Sequence, residues 1–328
     1  MQTTILSEKQ ASSRLALPLA PASYFAMTLG LAETGNAWRN ATAHWHFPAI
    51  AGEIFELLAV LSFLWWISVY IHKWVRHIQL AKTELNDPVQ SAFIALIPES
   101  VLLIALALHP YSTAIAVYFF WIGSVLNLMY GAYRLSILWR QERTPAQTTP
   151  PLFLTFTASV LVNALVAGIF GYNGYGYALL GTGIIAWLIL DSAIAQQLIH
   201  GGLATQTRNF MGIYIAPPIV AFAAYQVLAG KNMQLAIGYA LMGYALFLTG
   251  ALLLSSKWLR EQAFAPGYWA YTFAIATLSQ GLSLFALQTG ELAVEILAML
   301  FFVLTNLVVA AVAIASVRLL LKGGYFPK

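Results

Sequence analysis

Ten apolar stretches of membrane length follow one another along this chain, at about 17–38, 48–72, 91–109, 112–138, 152–172, 175–199, 209–229, 233–257, 267–288 and 291–320. About 20 apolar residues in a helix cross roughly 30 Å of hydrocarbon. Lipid satisfies no backbone polar group, so each stretch must close its own hydrogen bonds as a helix. The connections are of two kinds. After the second, fourth, sixth and eighth stretches they are long or charged, as in KWVRHIQLAKTELNDPVQ and RQERTPAQTTPP. After the third, fifth, seventh and ninth they are tight turns (HPYS, NG, AGKN, QTG), and RNATAHWHFP after the first is the long exception. Of the 16 lysines and arginines, only Arg39 and Lys231 fall on the side of the tight turns. This bias places the other side, with both termini, in the cytoplasm. A span count wrong by one would scramble the partition.

Only 9% of the residues are charged and 60% are hydrophobic, against roughly 25% charged in soluble domains. The expected class is therefore an all-α, multi-pass integral membrane protein. Residues 1–16 are polar and lack the 7–15-residue apolar core of a signal peptide. They are expected to form a cytoplasmic N-terminal tail, 17–320 the transmembrane domain, and 321–328 a cytoplasmic C-terminal tail. The absence of cysteine excludes disulfides, iron–sulfur clusters and thiol catalysis. The net charge of +4 follows from the one-sided placement of basic residues and implies no nucleic-acid partner.

The odd-numbered stretches start at near-regular intervals and are the more polar set, which suggests five helical hairpins with one helix of each around a central axis. Thr28, Glu33 and Thr34 lie in the first, Pro98, Glu99 and Ser100 in the third, and Thr155, Thr157, Ser159 and Asn163 in the fifth. Tyr214 and the pair Pro217-Pro218 lie in the seventh, and Thr272, Thr277, Ser279 and Gln280 in the ninth. A proline inside a span removes a backbone donor and crowds the carbonyl four residues earlier, and the freed groups need a protein partner or a watery cavity. Thr28, Pro98, Glu99, Thr155, Tyr214, Pro217, Thr272 and Thr277 are thus candidates to line an interior wall. Read singly, each Ser or Thr is better explained as helix–helix glue, and their recurrence on all five odd stretches is what favours a wall. The even stretches are bulky and aliphatic with Trp and Tyr near their ends, as expected of lipid-facing helices.

Six carboxylates lie within or close to spans: Glu33, Glu53, Glu56, Glu99, Asp191 and Glu295. Ionisable groups at membrane depth are functional candidates by default. Glu33, Glu53 and Glu295 are placed near the outer ends of their spans, within reach of water. Glu56, one turn from Glu53, rims an outer vestibule. Asp191 reads as a structural hydrogen-bonding group. Glu99, beside Pro98, either faces the interior or turns sideways to a neighbouring helix. His44 and His46 in HWH are too few ligands for a metal site, and no metal or cofactor is expected. No HExxH, no GxxxxGK[ST] and no Ser/His/Asp grouping is present, so the chain is not expected to be an enzyme.

The segments WAYTF (Trp269–Phe273), FIALIP (Phe93–Pro98), MGIYIAP (Met211–Pro217) and GTGIIAWLILD (Gly181–Asp191) resemble the TehA-type tellurite-resistance/dicarboxylate transporter family, which includes the plant guard-cell slow anion channels. The resemblance implies ten transmembrane helices as five hairpins with quasi-five-fold symmetry around a central pore lined by the odd helices. It further implies a homotrimer, in a bacterial inner membrane for a protein of this kind, carrying small inorganic or organic anions. The phenylalanine that ends the ninth-helix motif plugs the pore in that family, and the matching residue is Phe273. From the residues alone Phe273 reads as a packing side chain. Relatives often carry kinking prolines where this chain has Thr28 and Thr155, the plant channels follow the plug with proline where this chain has Ala274, and relatives tend to be neutral where it has Glu99. The expectation is a passive anion channel occluded by Phe273. The alternative is a proton-coupled carrier of small anions such as dicarboxylates, tellurite or sulfite, with Glu99 as the proton site.

Overall fold

The computed structural model describes residues 17–326, which contain helices and no strand. We label the long helices α1 (Phe25–Trp45), α2 (Ala49–Arg76), α3 (Leu96–Leu108), α4 (Thr113–Leu138), α5 (Ala158–Ile169), α6 (Asn173–Gly201), α7 (Ala216–Ala229), α8 (Leu235–Leu254), α9 (Trp269–Thr289) and α10 (Leu292–Leu321). Among the described residues, eight helices are long and apolar enough to cross a membrane. A ninth is added if Pro150–Phe156 and Ala158–Ile169, bent by 43°, form one span. The chain is a multi-pass membrane protein. α1 falls short of that apolarity because of the polar run Glu33–Asn36 and Arg39 near its middle.

Every odd helix opens through tighter turns: Ala22–Tyr24 before α1, Gln90–Ala95 before α3, Pro150–Leu152 and Phe153–Phe156 before α5, Thr205–Phe210 and Met211–Tyr214 before α7, and Pro266–Tyr268 before α9. Prolines explain part of this. Pro217 and Pro218 sit in the first positions of α7, where a helix needs no N–H donor. Ahead of α5 the break falls at Thr157, whose φ of −120° and ψ of −81° leave the helical region without any proline.

Packing separates the two sets. Each odd helix packs against the even helix that follows it, and the odd helices also pack on one another in sequence, α1 on α3, α3 on α5, α5 on α7, α7 on α9, and α9 back on α1. The most apolar stretches of the spans containing α3, α7 and α9 are 83% buried, whereas those of the even helices are 22–33% buried. An apolar helix that buries so little of itself within its own chain turns that face to lipid or to another subunit. Small residues permit the closest approaches. A Cβ on Gly30 would stand 1.9 Å from the Thr272 hydroxyl, so α1 and α9 touch there.

The first helix is displaced from its expected position. It runs to Trp45 rather than 38, so most of the supposed outer loop RNATAHWHFP is helical. The reversal is made by His46, in the left-handed region at φ 57°, followed by Pro48 at the head of α2. The polar and aromatic residues that resembled a loop have partners in the bundle: the Trp38 indole donates to Asn306 Oδ1 (2.9 Å) and the Trp45 indole to Glu295 Oε1 (2.6 Å), both on or beside α10.

At the opposite end, the charged connection after α2 contains a further helix, Ile78–Asn86. Buried Lys73 donates to Glu84 Oε2 (2.5 Å) and to the Ala20 carbonyl (2.9 Å), while Glu84 Oε1 accepts from the Ala22 amide (2.7 Å). The last described residues are also tied down. Tyr325 and Phe326 pack on Trp66, and the Tyr24 hydroxyl donates to the Tyr325 carbonyl. The proposed tail 1–16 lies outside the described residues.

Candidate functional site

Phe273 lies in the second turn of α9, 7% exposed, and its side chain borders a cavity of about 30 Å³, space for one or two waters. All five odd elements contribute to the wall: Leu29 from α1, Leu96 and Glu99 from α3, Leu154 and Ile213 from the segments opening α5 and α7, and Phe273 itself. The lining is aliphatic or aromatic except for Ser23 and Glu99. Among the described residues, no lysine or arginine lines it. The chamber is small and largely apolar, with the Phe273 ring at its edge.

Glu99 is 1% exposed, and its Oε2 has no hydrogen-bond partner among the described residues. The ionisable group coupled to it is Glu33 of α1, also fully buried. Glu33 Oε2 accepts from Asn36 Nδ2 (3.1 Å), its Oε1 is unpartnered, and it sits beside Thr277 of α9. Glu33 is thus an interior residue, not an outer-rim one. The misplacement came from starting α1 about eight residues too early. The run Glu-Thr-Gly-Asn inside an otherwise apolar segment was the signal available in the sequence.

The other candidate residues occupy different places. Thr28 pairs its hydroxyl with Ser62 Oγ of α2 (3.0 Å), facing the neighbouring helix. Thr155 and Thr272 turn their hydroxyls back to the Leu152 and Trp269 carbonyls (both 2.7 Å), and Thr277 bonds the carbonyl of Phe273 itself (2.9 Å). Pro98 and Pro217 are buried in their helices. Tyr214 borders a separate cavity with Leu248 and Trp258, beside Asp191 of α6. Of the lining candidates, the structure brings Glu99 to the chamber with Phe273. Glu56 is buried and paired with Arg39, which also donates to the Leu106 and Ala107 carbonyls (both 3.1 Å) at the end of α3.

Residues 20–317 match the family described as SLAC1, voltage-dependent anion channel. The chain belongs to the SLAC1 family. It is 28% identical over 309 residues to a protein of Haemophilus influenzae called "Tellurite resistance protein TehA homolog", an alignment covering 94% of this chain and 93% of the relative. The match agrees with the TehA-type motifs in α3, α6, α7 and α9.

In this SLAC1-family chain, two basic residues at the end where the odd helices open have partners in the protein. Arg208 donates to the Trp258 carbonyl (2.7 Å) and to Glu261 (2.5 Å), with its guanidinium over the Trp258 ring. Arg134 reaches the Leu85 carbonyl (3.4 Å). These side chains brace the connections between spans and have little freedom to steer a passing ion. At the other end, His44 Nε2 meets Glu295 (3.0 Å), and among the described residues no cluster of three or more His, Asp or Glu is arranged to hold a metal.

Proposed function

We propose that this SLAC1-family protein conducts small anions through the axis enclosed by its five odd helices, and that Phe273 closes that path. The carrying observation is the position of Phe273 at a chamber to which all five odd elements contribute. In this reading the ten helices form five hairpins with quasi-five-fold symmetry, assembled as a homotrimer in a bacterial inner membrane with both termini in the cytoplasm. Residues 17–320 are the channel domain between the tails 1–16 and 321–328. The opening segments support the symmetry, since they touch one another in turn at one end.

Each odd helix also buries a polar side-chain atom that no protein group bonds: Glu33 Oε1, Glu99 Oε2, Ser159 Oγ, Gln226 Oε1 and Gln280 Oε1. Buried polar atoms require partners, and water hydrating the path would supply them. The test is anion current from Phe273→Ala in a bilayer or oocyte recording. A current at least tenfold above wild type is expected, and a well-expressed variant with wild-type current overturns the assignment.

A second reading is favoured by one observation, the presence of Glu99 in the same chamber with Glu33 behind it. There the protein is a proton-coupled carrier of small anions such as dicarboxylates, tellurite or sulfite. It expects saturable uptake driven by a pH gradient and abolished in Glu99→Gln. Ohmic currents indifferent to pH refute it. Neither reading includes enzymatic chemistry.

A further inference from the structure

One seam in the ring of odd helices has no chain across it. α1 is joined to α3, α3 to α5, α5 to α7 and α7 to α9 by the even helix and connection that lie between them in sequence, whereas α9 and α1 belong to opposite ends of the chain. At the end where the odd helices open, the segment that follows α10 crosses this seam. α10 stops at Leu321, and the chain turns through Gly323, in the left-handed region at φ 68°. The Gly323 and Gly324 amides donate back to the Leu320 and Leu319 carbonyls (2.9 and 3.0 Å). Glycine is favoured at such a helix end because a Cβ is strained there. The turn delivers Tyr325, 5% exposed, into the protein.

Tyr325 has partners on both sides of the seam. Toward α1, its ring lies edge-on to Tyr24 (5.4 Å between centroids) and stacks on Trp66 of α2 (6.5 Å), and its carbonyl accepts from the Tyr24 hydroxyl. Toward α9, its side chain lies beside those of Trp269 and Ser316, which bond each other, indole to hydroxyl, at 3.0 Å. Tyr24, Trp66, Trp269 and Ser316 are all buried. Both sides also carry wall of the chamber that Phe273 borders. Tyr24 lies between the lining residues Ser23 and Ala26, and Trp269 starts α9 one turn before Phe273, next to the lining residue Ala270. A ring that bonds both openings fixes the two walls against each other.

We propose that Tyr325 is a positioning residue for the gate: it clamps the first turn of α9 to the segment opening α1 and so keeps the chamber closed. The proposal rests on the reading of Phe273 as the closure. Phe326 adds to the clamp on the α1 side, against Tyr24 (6.2 Å) and Trp66 (6.3 Å).

The test reads the chamber without reference to current. Ala158 lines it from α5, away from the clamp, and is 1% exposed; in a chain with no cysteine, Ala158→Cys provides a single thiol. Its rate of modification by a small methanethiosulfonate, on purified protein in detergent, follows the population of open chamber. Tyr325→Ala is expected to raise that rate more than about tenfold, as a buried ring is lost. Tyr24→Phe keeps its own ring and removes the bond to the Tyr325 carbonyl, and should raise the rate about fivefold, the factor contributed by one hydrogen bond. Gly323→Ala, whose Cβ meets no atom within 4 Å, strains only the turn and should act in the same direction. Asn306→Ala, which removes the Trp38 partner midway along α10, should leave the rate unchanged. Wild-type rates in Tyr325→Ala and Tyr24→Phe overturn the proposal. An equal increase in Asn306→Ala also overturns it, since the effect is then general loosening. Anion current separates the clamp from the gate. Faster labelling without added current supports the clamp and counts against Phe273 as the closure, whereas unchanged labelling beside a raised Phe273→Ala current removes the clamp and leaves the gate standing.

Discussion

Gly30→Ala is the most direct probe of how tightly the first and ninth helices are held. The added Cβ would stand 1.9 Å from Thr272 Oγ1, 3.0 Å from Thr272 Cβ and 3.3 Å from the Trp269 ring. Carbon contacts prefer about 3.5–4.0 Å, so accommodation needs either a relative shift of about 1.5 Å or rotation of Thr272, a side chain with few rotamers in a helix. Rotation also breaks the hydrogen bond to the Trp269 carbonyl. The expected cost is about 2–3 kcal/mol, the upper part of the range for overpacking. Thr272→Ala alone removes one hydrogen bond and should cost about 1 kcal/mol. In the double variant the worst contact is gone and the nearest remaining one is 3.0 Å, so the two changes should compensate by about 1–2 kcal/mol. Thermal unfolding in detergent at a fixed scan rate, followed by tryptophan fluorescence, measures this cycle. Gly30→Ala should also raise leak current, because Thr272 and Phe273 are adjacent and move together. Additive destabilisation in the double variant would refute the contact, and a rescue of stability without any change in current would detach it from the gate.

Replacing Lys73 with Ala leaves Glu84 buried and without its cation, and should destabilise the protein by about 3–5 kcal/mol; Lys73→Ala combined with Glu84→Gln should recover part of that in the same unfolding assay. Phe273→Leu, with a smaller side chain at the chamber, should give a current between wild type and Phe273→Ala, and a current equal to either extreme would argue against occlusion by size. Arg208→Gln combined with Glu261→Gln, which removes the matched pair together, should leave the ionic-strength dependence of the current unchanged; a flattened dependence would give Arg208 a steering role.

The sequence exposed the lipid-facing helices well, because their apolarity is continuous and their ends are marked by Trp, Tyr and basic residues. It was weakest on α1. Hydropathy measures affinity for lipid, and α1 faces protein, so its Glu33, Asn36 and Arg39 looked like the approach to a loop. Inside the bundle those groups bond one another, Glu56 and the end of α3. The proximity of Glu33 to Glu99 was invisible because it joins residues on different helices. The bend before α5 was also hidden, since Thr157 breaks the helix without a proline to announce it. Phe273 stood out only through a motif shared with relatives; nothing in its composition or spacing distinguishes it from Phe222 or Phe285, which are fully buried packing rings.

The contact of α9 with α1 has a consequence for biosynthesis. The inner face of α1 presents Gly30 to Thr272 and Glu33 to Thr277, partners that lie about 220 residues downstream of its own end. At ~5–20 residues per second, the ribosome makes α9 roughly 10–45 s after α1. Throughout that interval the most polar of the ten long helices is in or near the bilayer with one flank bare. The nascent chain therefore needs either a translocon that shelters α1 or a delayed insertion of α1, and the bundle can close only when its last hairpin arrives.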